Sequence, residues 1–403
     1  MRRVVITGQG TVNPLGRNVP ETLAALQAGR CGIGPLEFRD AERLSVRIGA
    51  QVRDFAPEAH FTRRQLALCD RFTCFALLAA REAVAQSGIV FGEELALQTG
   101  VVLGAAGGGV ATWDESSRAV YEAGKNRVNP FVVPRLMNNA AVAHVSMEMG
   151  LRGPSFSVAT ACASSNHAMG QAFQMVRGGM SPVMLTGGAE SMLCFGGVKA
   201  WEGLRVMSSD GCRPFCATRN GMVLGEGAAV FVFEDLEHAR ARGATILAEV
   251  AGFSMTSDAA DIVQPSQEGA ARAMAGALAD AGLAPDQVGY VNAHGTGTAA
   301  NDRTECAALA RVFGPHARRL MVSSGKSMHG HLIGAAGAVE LLACIMALRE
   351  GVIAPTVGFR RFDPDCPLDV VPNEARRADV RAVLSNAFAF GGMNAVLALR
   401  KFV

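Results

Sequence analysis

The stretch Ser157-Val-Ala-Thr-Ala-Cys162-Ala-Ser-Ser-Asn166 carries a strand-like run through a turn of small residues into a helix-like segment, with one cysteine at the break. A buried strand that feeds a helix through a tight turn is a common joint of α/β proteins, and the chain on either side keeps that alternation. Val4–Ile6, Gly100–Leu103, Ser181–Gly187 and Ala229–Phe233 read as strands. Pro20–Gly29, Phe72–Gln86 and Leu236–Arg242 read as helices. A second cycle follows, with a strand-like run at Ile246–Phe253, an Ala-rich helix over Glu268–Gly282 and a strand at Gly289–Asn292. In each cycle one strand (Phe156–Thr160, Leu320–Ser324) enters a Gly/Ala/Ser-rich turn and then a long helix. The pattern predicts an α/β fold of buried, mainly parallel strands in two similar halves, 1–245 and 246–403, although no residue-level repeat is visible.

Composition narrows the function. With 403 residues and 49% hydrophobic content the chain can bury a large core. A formal net charge of +2, 18% charged residues and no run of like charges give no nucleic-acid or membrane signal. The apolar stretch Leu332–Leu348 is broken by Gly334, Gly337 and Glu340. It is also short of the roughly 20 residues of a membrane span, so it reads as a buried helix. Ten cysteines are scattered without paired spacing, and Arg2-Arg3 leads into a strand and not into a signal peptide, which places the protein in a reducing cytoplasm. Cys212 and Cys216 form a lone C-x3-C with no second ligand pair, so they read as ordinary thiols and no metal site is expected.

Cys162 stands where chemistry is favoured. A thiol at a helix start meets the positive end of the backbone dipole and unpaired N–H groups, which favour thiolate and can hold an oxyanion. Two further segments bring imidazoles: Val291-Asn-Ala-His294-Gly-Thr296-Gly-Thr298, and Ser323-Ser-Gly-Lys326-Ser-Met-His329-Gly-His331-Leu-Ile-Gly-Ala-Ala-Gly337. His167 lies five residues past Cys162, a spacing that turns it roughly 140° away on a helix and argues against a dyad.

These segments, in this order and at these separations, resemble the β-ketoacyl-acyl-carrier-protein synthases, the Cys-His-His condensing enzymes of fatty-acid and polyketide assembly. The resemblance runs from Arg2-Arg-Val-Val-Ile-Thr-Gly8, through Gly150-Leu-Arg-Gly-Pro154 and Asn220-Gly-Met-Val-Leu-Gly-Glu-Gly-Ala228, to Ser385-Asn-Ala-Phe388-Ala-Phe390-Gly-Gly-Met-Asn394. It implies a thiolase-like fold, two similar halves in a five-layer αβαβα arrangement, with Cys162 in the first half and both histidines and Phe390 in the second. It also implies that Cys162 accepts the acyl group and that His294 and His331 stabilise the enolate left when a malonyl thioester loses CO2. Lys326 and Glu340 would support them as an ion-paired network. Phe390 would contribute its N–H to the acyl oxyanion hole and its ring as a gate, with Phe388 beside it. Thr296 and Thr298 would meet the phosphopantetheine arm of an acyl carrier protein, the only carrier of substrate, so no cofactor is implied. His329 reads as accessory.

The chain also departs from the common pattern. Where elongating relatives carry a bulky aliphatic residue against the acyl tail, this chain has Gly107, and Trp201 stands in a stretch that lines the tunnel in relatives. Ala67-Leu-Cys69 replaces a more basic stretch, leaving Arg63 and Arg64, with Lys125, Arg127 and Arg205, to grip an acidic carrier. These departures lean toward synthases of unusual acyl chains, including nodulation-type and polyene-type condensing enzymes. A homodimer is implied, with a heterodimer alongside a chain-length factor as the alternative assembly. Two rivals are weighed. A non-catalytic chain-length-factor subunit has no use for Cys162, and a thiolase needs a second catalytic cysteine near the C-terminus, a context that neither Cys344 nor Cys366 offers.

Overall fold

The computed structural model describes all 403 residues. Ten strands form its main sheet: β1 (Val4–Val12), β2 (Gly100–Gly104), β3 (Ser155–Val158), β4 (Val183–Glu190), β5 (Gly227–Asp235), β6 (Ala248–Ser257), β7 (Tyr290–Asn292), β8 (Met321–Ser323), β9 (Ala382–Ala389) and β10 (Met393–Arg400). The helices that matter below are α1 (Arg63–Leu68), α2 (Arg71–Ser87), α3 (Val110–Tyr121), α4 (Ala140–Met149), α5 (Ser164–Arg177), α6 (Phe195–Gly203), α7 (Gln267–Ala281), α8 (Ala299–Phe313) and α9 (Ala336–Glu350).

The strand order is β8-β7-β9-β10-β6-β1-β5-β4-β2-β3. Each group of five, counted in its own chain order from the outer edge inward, runs third, second, fourth, fifth, first. The duplication expected from the alternating pattern is therefore present in the topology. The two half-sheets join only where β1 pairs antiparallel with β6, at Val4↔Val250, Val5↔Glu249 and Ile6↔Ala248.

Alternation along the strands builds five layers. Val101, Leu103, Val230 and Val232 face outward onto Phe72, Phe75, Ala76 and Ala79 of α2. Their neighbours Val102, Phe231 and Phe233 face inward onto Met169, Ala172 and Phe173 of α5 and Leu341, Leu342 and Ile345 of α9. The second half-sheet closes the same central core with Tyr290, Val383, Leu397 and Leu399. On its outer face Val291, Leu384 and Val396 meet Ala273 and Met274 of α7 and Leu309 of α8. A helix apolar all round must be enclosed, and every residue of α9 from Ala336 to Leu348 is buried. No helix is long and apolar enough to cross a membrane.

One expectation needs correction. The strands are not mainly parallel: β2·β3, β2·β4, β7·β8 and β7·β9 are parallel, whereas β1·β5, β1·β6, β4·β5, β6·β10 and β9·β10 are antiparallel. Strands covered on both faces carry continuous apolar runs whatever their direction, so the runs that identify them cannot orient them.

Close approach of backbones positions the turn that bears Cys162. Gly104 ends β2 against the first turn of α5, where an added Cβ would lie 2.3 Å from the Ser165 nitrogen and 2.4 Å from the Ser164 carbonyl carbon. Neither atom can yield without moving the helix that begins just after Cys162. We expect Gly104→Ala to cost at least about 1–3 kcal/mol as an overpacked core substitution, read as a lower urea midpoint at unchanged slope. An unchanged midpoint would show that β2 and α5 can separate freely.

Candidate active site

Cys162 lies in the turn between β3 and α5, two residues before the first helical residue, Ser164. The turn is tight. Ala163 and Ser164 donate their N–H groups to the carbonyls of Thr160 and Ala161, at 3.1 and 3.2 Å. Ser164 Oγ accepts from the Thr160 N–H at 2.9 Å and donates to the Ala161 carbonyl at 2.7 Å. Ala161 takes a φ of +47°, a strained conformation for a residue with a Cβ. The thiol is buried, and burial pushes it up to about 12 despite the Lys326 charge and the N–H groups of Cys162 and Phe390. The expected bias toward thiolate is thus corrected: desolvation outweighs the helix end, and the resting group is a thiol. Of the two N–H groups at the sulfur, that of Phe390 is the one the resemblance assigns to an oxyanion hole.

His294 follows β7 and His331 follows Lys326 by five residues, yet the fold brings them together. The Cys162 Sγ and a ring nitrogen of each histidine all lie within 4.8 Å of one another. The imidazoles stand edge to face, with centroids 5.5 Å apart, and Phe388 packs edge-on against His294 at 6.1 Å. His331 Nδ1 accepts the Ile333 N–H at 3.2 Å, so the neutral ring carries its proton on Nε2, which is buried and has no protein partner. That donor points at nothing except what enters the site. Burial first, and the Lys326 charge second, hold both histidines well below the ordinary imidazole range and keep them neutral.

Lys326 and Glu340 form a fully buried ion pair, at 0% and 1% side-chain exposure, between the His331 segment and α9. Burial raises the Glu340 carboxyl to about 7, and its Oε2 has no partner. His329 is occupied elsewhere: its Nδ1 donates to the Gly330 carbonyl at 2.8 Å, and burial pushes it down to about 3. His167 is likewise taken, by Thr160 Oγ1 at 2.9 Å and the Ala163 carbonyl at 3.1 Å.

A cavity opens onto Cys162, His294 and His331. Thr296, Thr298, Trp201, Phe388 and Phe390 line it, as the sequence suggested. The two threonine hydroxyls hydrogen-bond each other at 2.8 Å, and Trp201 stacks on Phe390 at 6.0 Å with an interplanar angle of 24°. Gly107 is not on this wall. Met192 takes up the room there, with its Cε only 2.3 Å from where a Cβ at 107 would be, and Met192 packs in the apolar cluster that holds Trp201, Val206 and Met222. Arg63, Arg64, Lys125, Arg127 and Arg205 are all exposed. Arg205 adjoins Val206 of the cavity wall, whereas Lys125 lines a different cleft with Arg39 and Arg118. Cys212 and Cys216 stay separate, bonding to the carbonyls of Thr296 and Arg361.

Three carboxylates that the sequence did not single out hold the backbone of the site. Glu305 accepts the His294 and Gly295 N–H groups, each at 2.8 Å, and Asn386 Nδ2 at 3.1 Å. Asp302 accepts Phe215 N–H at 2.7 Å and Gly297 N–H at 3.2 Å. Glu190 accepts N–H groups from Ala106, Gly107 and Gly334, joining the Gly107 loop to the His331 loop, and burial raises it to about 7. The segment Val263-Gln264-Pro265, also unanticipated, closes one side of the cavity.

Comparison with known proteins gives one consistent match. Residues 1–239 match the family model "Beta-ketoacyl synthase, N-terminal domain", and residues 247–360 match "Beta-ketoacyl synthase, C-terminal domain". Nodulation protein E of Rhizobium sp. (strain N33) is 50% identical over 400 residues, covering 99% of each chain. The 3-oxoacyl-[acyl-carrier-protein] synthase 2 of Staphylococcus aureus (strain COL) is 40% identical over 408 residues, covering 100% of this chain and 99% of that one. Among solved structures, "The ishigamide ketosynthase/chain length factor" superimposes with a TM-score of 0.95 at 37% identity, covering 100% of both chains.

Removing one member of a buried ion pair strands the other, at a cost of about 3–5 kcal/mol. We expect Lys326→Met to lose stability on that scale by urea unfolding, and Lys326→Met/Glu340→Leu to recover most of it. Equal stability of single and double variants would show that Glu340 is neutral in the native protein.

Proposed function

Because this chain belongs to the β-ketoacyl synthase family, we propose that Cys162, His294 and His331 divide its reaction between them. The enzyme is an acyltransferase that condenses an acyl group with a malonyl group on acyl carrier protein, giving the 3-oxoacyl-carrier product and CO2. Cys162 Sγ attacks the acyl thioester, whose carbonyl oxygen takes its charge facing the N–H groups of Cys162 and Phe390; the thiol proton leaves on the carrier thiol. The malonyl carboxylate then departs as CO2, and the enolate oxygen is held by the His331 Nε2–H and a His294 ring N–H. The enolate carbon attacks the acyl carbonyl, the same two N–H groups receive the second oxyanion, and Cys162 is released to take up a proton.

One observation carries this reading: a buried thiol and two neutral imidazoles within 4.8 Å, one of them presenting a proton that nothing in the protein accepts. Neutral donors suit an enolate because they stabilise charge that appears only as CO2 leaves. Lost CO2 generates the carbanion without a base, so the reading needs no metal and no cofactor beyond the carrier's own arm. A non-catalytic partner subunit would have no need of this constellation.

The same reading extends to partners. An acidic carrier would dock over Arg63, Arg64, Lys125, Arg127 and Arg205, its arm passing Thr296 and Thr298. A dimer, of two copies or with a chain-length factor, is favoured by β3, an edge strand with Phe156 37% exposed, and by the exposed Trp113, Tyr121, Phe131, Val133 and Met137. Open edges and large apolar patches call for cover; a chain-length factor could supply it as well as a second copy. We place the enzyme in the cytoplasm, acting on specialised acyl chains, a preference supported by the higher identity to nodulation protein E than to the staphylococcal synthase.

We expect Cys162→Ala to abolish acyl transfer and Cys162→Gln to retain release of CO2 from malonyl carrier. In the Gln background, His294→Ala or His331→Ala should slow that release by roughly 10²-fold or more, and His329→Ala should barely change it. Equal losses at 329 and 331 would mean that the wrong imidazole was assigned.

Position 107 tests specificity. Its new side chain would push Met192 toward Trp201, Val206 and Met222, and each CH2 of acyl chain so excluded forfeits about 0.8 kcal/mol. Gly107→Ile should shorten the longest acyl group that loads Cys162, measured by intact mass across chain lengths. An unchanged length profile in the folded variant would dissociate Met192 from the acyl pocket.

A further inference from the structure

Away from the active site, two thiols meet at the junction of α1 and α2. Cys69 caps the C-terminal end of α1 in extended backbone, and Cys74 lies in the first turn of α2. The two thiols pack in one apolar cluster and perturb each other's ionisation, and both are buried, at 5% and 3% exposure. Between them Asp70 caps α2 and accepts Thr112 N–H at 2.9 Å, which ties the junction to α3. His144 of α4 brings Nδ1 to 3.8 Å from Cys69 Sγ. The Arg135 side chain adds a second cation near this sulfur, and its buried Nε has no hydrogen-bond partner. Cationic groups beside a thiol favour its thiolate.

We propose that Cys69 and Cys74 are a reversible oxidation site for small hydroperoxides, with Cys69 as the attacking thiol, Cys74 as the resolving thiol and His144 as the proton donor. Cys69 Sγ, as thiolate beside a protonated His144, attacks one peroxide oxygen. The S–O bond forms as the O–O bond breaks, and the leaving hydroxide takes the imidazolium proton to become water. Cys74 then attacks the sulfenic sulfur; the S–S bond forms, the S–O bond breaks, and a second water leaves with the Cys74 proton. Two thiols are oxidised by two electrons and one hydroperoxide is reduced. The charge pattern agrees with this order. Cys74 and His144 hold the Cys69 thiol below the ordinary thiol range against burial, and Cys69 together with burial raises Cys74. Cys162, pushed up to about 12, is a poor competitor for the oxidant.

The test uses the full chain carrying Cys162→Ala, treated with one equivalent of hydrogen peroxide, then alkylated and digested with trypsin. Cleavage after Arg71 separates the two cysteines, so a disulfide appears as two peptides joined through Cys69 and Cys74 that come apart under dithiothreitol. Cys74→Ser should stop at a sulfenic acid on Cys69 that dimedone captures. His144→Asn, with folding checked by circular dichroism, should slow disulfide formation several-fold. Recovery of alkylated Cys69 and Cys74 after other cysteines have reacted would overturn the proposal. Failure of dimedone to label Cys69 in folded Cys74→Ser would overturn the assignment of the attacking thiol, and an unchanged rate in His144→Asn would remove the imidazole from the step.

Discussion

The buried pairing of Lys326 with Glu340 sets the electrical state of the reaction centre. Two charges withdrawn from water are tolerated only as a pair, and Glu340 is fixed by α9, the helix enclosed by both half-sheets. Held there, the Lys326 charge opposes protonation of His294 and His331 and partly offsets the burial that keeps Cys162 a thiol. Burial first, and this cation after it, thus keep the imidazoles neutral, while the cation favours the charged form of the Cys162 thiol. A lysine exposed to solvent would be too screened to do either.

Around this pair the site is held chiefly through its backbone. Glu305 and Asp302 grip the loop that bears His294, while Glu190 ties the His331 loop to the Gly107 loop of the other half. Such carboxylates fix the course of a loop and leave its side chains free to meet substrate. Elsewhere the cavity is walled by Trp201 stacked on Phe390 and by the Val263–Pro265 segment.

How much of this was legible in the sequence depended on whether a residue's role is local. The Cys162 turn, the enclosed helix after His331 and the two histidines announce themselves through short-range pattern and motif order. Glu190, Glu305 and Asp302 do not, because a carboxylate that accepts backbone N–H groups from distant loops is spelled like any surface acid. Strand direction was equally hidden, since apolar runs covered on both faces look alike either way. The protonation of Cys162 was misjudged from local signals because its burial is supplied by distant parts of the chain. Gly107 was read against the bulky residue that relatives carry there; the neighbour that takes up the room, Met192, lies far along the chain.

The order in which the site comes together follows from the twofold plan. Cys162 is encoded in the first half, whereas His294, His331, Lys326, Glu340 and Phe390 all belong to the second. The first half-sheet also lacks α9, the helix that completes the layer over its inner face, until the second half arrives. A chain still emerging from the ribosome therefore carries its nucleophile with no enolate donors, no buried cation and only one N–H of the oxyanion hole. The constellation is whole only once the last two strands, β9 and β10, are in place.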